Sequence, residues 1–94
     1  MLTINWTEIA TQCGLSIGFQ LRGVLRISHF GFYALLVPNV ERDRVETELA
    51  KAGIPIHGVA VWTREDAKEF FVAVVKTDSA ETLRAIARSV DAIS

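Results

Sequence analysis

Phe32-Tyr33-Ala34-Leu35-Leu36-Val37 is a continuous apolar run, closed by Pro38-Asn39 and followed by a segment with a different period. The run reads as a strand, and Pro38-Asn39 marks the turn at which the period changes from two to about 3.6. From Arg42 to Ala52, Val45, Leu49 and Ala52 share one stripe, while Glu41, Arg44, Glu48 and Lys51 fall mostly off it. Such a pattern predicts a helix that covers a sheet. Gly53 ends that helix, because glycine tolerates the left-handed conformation of a C-terminal cap, and Pro55 cannot extend it.

Working outward, Ile56 to Thr63 and Glu69 to Lys76 are β-rich runs joined by the polar loop Arg64-Glu65-Asp66-Ala67-Lys68, which predicts a hairpin. If Thr63 pairs with Glu69, Trp62 faces Phe70 and Ala60 faces Val72, while Val61 faces Phe71 and Val59 faces Ala73. Asp78-Ser79 then offers a cap for a helix whose stripe is Leu83, Ile86, Ala87 and Val90, with Glu81, Arg84 and Arg88 toward solvent.

Upstream, the odd positions from Leu15 to Ile27 are apolar or Gly23, and the even ones are mostly polar. The alternation predicts one long strand bent near Gly23, turned back at Ser28-His29-Phe30-Gly31 against Phe32 to Val37. A helical stripe of Ile17, Leu21, Val24 and Leu25 is the alternative, opposed by glycines that each cost about 1 kcal/mol in a helix. Thr7 caps a short helix through Glu8, Ile9, Ala10 and Cys13, ended by Gly14.

The expected fold is α+β: a single domain over residues 1–94, with a short N-terminal helical segment at 1–14 and a ββαββα core at 15–94. Its four-stranded antiparallel sheet carries two helices on one face. If both crossovers are right-handed, the strands beginning at Phe32 and Glu69 form the central pair. The result is a permuted ferredoxin-like architecture.

Ala52-Gly53-Ile54-Pro55-Ile56, the hairpin ending in Phe70-Phe71-Val72-Ala73-Val74-Val75, and Ser79-Ala80-Glu81 opening an amphipathic helix together resemble the middle of an ACT domain. The resemblance spans a little over half of the chain. It implies a regulatory module that binds a small ligand such as an amino acid and pairs through sheets or helices. Asn39 and Glu41, at the strand-to-helix junction where that family admits a ligand, are the ligand-binding residues it implies.

Ten basic and eleven acidic side chains leave a net charge of −1, so no global field draws the chain onto nucleic acid or an anionic membrane. Any such binding needs a local patch. Cys13 is the one cysteine, which excludes an internal disulfide and makes the cytosol the expected compartment. The N-terminus has no signal-peptide pattern, so export is not expected. Gln20, Arg22, Arg26 and His29 interrupt the apolar stretch from Gly14 to Val37 at spacings that disfavour a membrane span.

No catalytic constellation stands out, and no enzyme, cofactor or metal is expected. His29 and His57 are far apart in sequence, and His57 reads as an interior or interface histidine making one hydrogen bond. Cys13 reads as a small buried hydrophobe. Glu65-Asp66 reads as a solvated pair on a hairpin tip. Ile9-Ala10 and Cys13-Gly14-Leu15 resemble the first half of a helix-turn-helix, but Gln20 and Gly23 stand where a recognition helix needs apolar anchors.

Three function classes remain in order. The first is a non-enzymatic protein-interaction or self-assembly module. Both sheet faces are apolar, and an N-terminal helix too short to cover one of them leaves Trp62, Phe70, Ala60 and Val72 for a homodimer or another protein partner. The second is the ACT-like module with its small-molecule ligand. The third is a single-strand nucleic-acid binder using Phe30, Phe32 and Phe71 as stacking rings, with Arg22 and Arg26 beside them.

Overall fold

Two strands at the middle of the sheet carry continuous buried apolar runs, residues 34–37 and 70–75. The structure is a computed structural model that describes residues 5–28 and 30–93, the last three of these by backbone alone. Helix α1 spans Trp6–Ile17 and leads through a 3-10 turn, Gly18–Gln20, into β1, Gly23–Arg26. Strand β2, Phe32–Pro38, is followed by a second 3-10 turn, Asn39–Glu41, and by α2, Arg42–Lys51. The hairpin of β3, Ile56–Thr63, and β4, Glu69–Lys76, then leads to α3, Ala80–Ile93. The sheet is antiparallel throughout, in the order β1-β2-β4-β3, which makes β2 and β4 its central pair.

Local chemistry accounts for the element ends. Gly53 takes a φ of 71° after α2, and the Ile54 amide closes back onto the Leu49 carbonyl at 3.0 Å. Ser79 accepts the Thr82 amide at 3.3 Å, which caps α3. In the hairpin, Thr63 pairs with Glu69, Trp62 with Phe70, Val61 with Phe71 and Ala60 with Val72, the register that the loop length predicts.

Two cores lie on opposite sides of the sheet, because successive strand residues point to opposite faces. The first joins Leu35, Val37, Phe71, Ala73 and Val75 to Val45 and Leu49 of α2 and to Leu83, Ile86, Ala87 and Val90 of α3. The second joins Ala34, Leu36, Phe70 and Val72 to Ala10, Cys13 and Ile17 of α1.

The N-terminal third departs from the expectation in three ways. Asn5, not Thr7, caps α1, its Oδ1 accepting the Glu8 amide at 3.1 Å. The helix does not stop at Gly14 but runs to Ile17, because Ala10, Cys13, Gly14 and Ile17 form a buried stripe at helical spacing. The long strand expected from Leu15 is therefore reduced to Gly23–Arg26. Leu15 and Phe19, expected to face the core, are 74% and 73% exposed.

A helix of twelve residues is long enough to lie across the second face, and close contacts hold it there. A Cβ placed on Gly14 would stand 2.2 Å from the Trp62 ring, and one on Gly58 would stand 2.4 Å from the ring of Trp6. The absence of those side chains lets helix and sheet touch backbone to ring. The face expected to be open is thus covered by the chain's own N-terminal helix, which removes the argument for a dimer closed sheet against sheet.

Candidate functional site

The β2–α2 junction gathers the polar groups that the fold buries. Pro38 ends the strand, and the 3-10 turn that follows brings the Glu41 side chain inward, where it is 9% exposed. Arg22 reaches it from the segment before β1, its Nη2 donating to Glu41 Oε1. A buried carboxylate is tolerated only when it is paired, and Arg22 supplies that pairing from nineteen residues away. Asn39 Oδ1 and Glu41 Oε2 are buried with no hydrogen-bond partner among the described residues. Each such acceptor costs about 1–3 kcal/mol relative to a satisfied one, so they are a natural place for a donor.

At the next residue, the Arg42 guanidinium lies 4.9 Å from the centre of the Phe71 ring and donates to Glu46 Oε1 at 2.8 Å. This closes the end of the first core with a cation on an aromatic face.

The hairpin tip is more structured than a pair of solvated carboxylates. Arg64 donates through Nε and Nη2 to the two Asp66 oxygens, at 2.9 and 2.6 Å, and through Nη1 to the Gly18 carbonyl at 2.8 Å. The Arg64 hydrogen bonds hold the Asp66 carboxyl down to about 2, well below its ordinary value. One side chain thus ties the β3–β4 loop to the end of α1, and Ala67 accepts a φ of 68° to make the turn.

The residues expected for stacking on nucleic acid do not share a surface. Phe71 is fully buried in the first core. Phe32, in phase with Ala34 and Leu36, points to the opposite side, where it meets the His57 ring edge-on at 5.3 Å and the Lys76 ammonium at 5.7 Å. Phe30 is exposed in the turn before β2. Arg22 belongs to Glu41, and Arg26 Nε donates to the Ser28 carbonyl at 3.3 Å.

The residues expected at an interface sit beneath α1 instead. Phe70 and Val72 are in the second core, and Ala60 and Trp62 pack against it, with Trp62 and Phe70 ring centres 5.7 Å apart. His57 is exposed rather than interior, and His29 lies outside the described residues.

Cys13 is completely buried, and burial pushes its thiol up to about 11. Among the described residues, no cluster of His, Cys, Asp and Glu could hold a metal ion, and no helix is long and apolar enough to cross a membrane.

What the second face loses as an open surface, the edge of the sheet retains. Among the described residues, β3 is bonded to β4 on one side only, and its eight residues form that edge. Val59 and Val61, which point to the side of α2, are 41% and 45% exposed. No protein-family model, curated protein or solved structure matches this chain.

Proposed function

We propose that the chain is a non-enzymatic self-assembly module of permuted ferredoxin-like architecture, which pairs with a second copy through the free edge of β3. The observation that carries this reading is the unguarded state of that edge. Ile56 to Thr63 contains no Lys, Arg, Asp, Glu or Pro, the residues that most often prevent edge strands from pairing. An irregularity at His57 blunts only its first residues.

The strand is self-complementary. Antiparallel pairing centred on Ala60 sets Val59 of each copy opposite Val61 of the other on one face and Gly58 opposite Trp62 on the other face. Such a contact is isologous and closes as a two-fold dimer with one continuous sheet. Burying four half-exposed valines removes an apolar strip that a monomer leaves in water.

Light scattering at about 10 μM, above the dissociation constant of a stable dimer, is expected to return twice the chain mass of 10.4 kDa. Val61→Lys, at a half-exposed position that does not serve the core, is expected to return the single-chain mass with an unchanged circular dichroism spectrum. A wild-type monomer at that concentration overturns the reading.

A second reading, an ACT-like regulatory module, is favoured by Asn39 Oδ1 and Glu41 Oε2, two buried acceptors awaiting a donor at the β2–α2 junction. A ligand with an ammonium or hydroxyl group would satisfy them. A panel of free amino acids, screened by thermal shift against wild type and Asn39→Ala, separates this reading from the first.

A further inference from the structure

Where α3 lies beside β1, the fold collects cations that are far apart in the chain. Arg84 and Arg88 stand one helical turn apart and so share a face. Across from them Arg22 and Gln20 approach from the segment leading into β1, and Val24 and Ala87 form an apolar floor between the two walls. The cleft they line has a volume of about 270 Å³. Three of the ten Lys and Arg side chains of a chain with net charge −1 therefore converge on one small hollow.

Their charges are not equally compensated. Glu41 answers Arg22 and holds its guanidinium in place. Arg84 and Arg88 are exposed and form no ion pair among the described residues. Like charges at this spacing destabilise a helix. Favourable interaction with the C-terminal end of the α3 dipole explains neither, because that effect is confined to the last turn and no basic residue lies there. An anion between the two guanidinium groups relieves the repulsion and gains hydrogen bonds in the planar fork geometry that arginine presents to oxyanions.

The size and charge narrow the class. A phosphate monoester carries about −1.5 to −2 charges at neutral pH, which matches the two uncompensated guanidinium groups, whereas a monocarboxylate leaves one of them unanswered. A hollow this small, walled by a strand segment and a helix, receives a single group rather than the contour of a polymer.

We propose that the cleft between the start of β1 and α3 binds the phosphate group of a small phosphomonoester, with Arg84 and Arg88 as its anion clamp, Gln20 as a further donor and Arg22, steadied by Glu41, at its inner wall. The site is separate from the β3 edge and does not depend on the oligomeric state.

Inorganic phosphate, titrated at constant ionic strength against the amide spectrum of the ¹⁵N-labelled full chain, tests it. Saturable shifts are expected at residues 20–24 and 84–88. The variant R84Q/R88Q, changed only at exposed positions, is expected to keep the amide dispersion of the folded chain and lose about tenfold or more in affinity, as befits the loss of charge-assisted hydrogen bonds. Shifts that sodium chloride reproduces, that fail to saturate, or that persist undiminished in the double variant overturn the proposal. Succinate that saturates the same amides at lower concentration than phosphate overturns the phosphate assignment.

Discussion

The two faces of the sheet are covered by different means. On one, α2 and α3 present branched and long apolar side chains, with Val45, Leu49, Leu83, Ile86 and Val90 filling the space over Leu35, Val37, Phe71 and Val75. On the other, α1 contributes only Ala10, Cys13 and Ile17 to the buried set, and its approach depends on glycines that face tryptophan rings. Packing by side-chain volume leaves a periodic trace in sequence. Packing by close approach leaves a gap where a side chain would be, and a gap has no hydropathy. The first face should thus be sensitive to removing atoms and the second to adding them.

The largest effect belongs to the first face. Leu49 is fully buried, so Leu49→Ala removes methyl groups and leaves a cavity, with an expected loss of about 2–5 kcal/mol in denaturant unfolding. A loss below about 0.5 kcal/mol would mean that α2 does not seal the core as its stripe requires.

The second face answers to the opposite change. Gly14→Ala inside a helix gains up to about 1 kcal/mol from propensity alone. Its new methyl group would stand 2.2 Å from the Trp62 indole, however, and overpacking of a close contact typically costs about 1–3 kcal/mol. A net destabilisation of about 1–2 kcal/mol is therefore expected. In a Trp62→Leu background, which opens the space, the same substitution should become neutral or stabilising. If Gly14→Ala stabilises the wild-type chain as well, α1 does not lie on Trp62.

This contrast also explains what could be read in advance. β2, β3, β4, α2 and α3 follow from hydropathy period and turn residues, and the β3–β4 register follows from the five-residue loop. Residues 15–22 mislead because Leu15, Ile17, Phe19 and Leu21 alternate as a strand would. Leu15 and Phe19 are instead outward residues of a helix and a 3-10 turn, and Leu21 turns the chain with a φ of 71°. The small residues around Gly14 resemble a place where two helices meet, and the partner that Gly14 and Gly18 approach is the Trp62 ring on a strand.

The polar site was legible in half. Asn39 and Glu41 stand at a recognisable strand-to-helix junction, but nothing local to Arg22 shows that β1–β2 pairing carries it to Glu41. Arg84 and Arg88 read as the solvent side of a helix, and only the placement of β1 beside α3 gives them a common cleft.

The smallest effect tests whether the two faces open together. Cys13 lies in the second core, where burial raises its thiol from an ordinary value of 9.0 to about 11. The folded state therefore keeps a proton that the unfolded state has lost between those values, so stability declines as pH rises from about 9 to about 11 and is unaffected by this group below that window. A Cys13→Ala variant should lack that component of the alkaline decline, as chemical denaturation at pH 8 and pH 10 would show. At pH 8 the same thiol reports on local opening. A face closed by few side chains should release α1 at a lower free energy than the whole fold, and native-state thiol labelling is expected to give Cys13 a smaller opening free energy than hydrogen exchange gives the β4 amides. Equal values for Cys13 and β4 would show that the Trp62 and Trp6 contacts bind α1 into one cooperative unit with the rest, and that close approach through glycine secures a face as firmly as the larger side chains on the other side do.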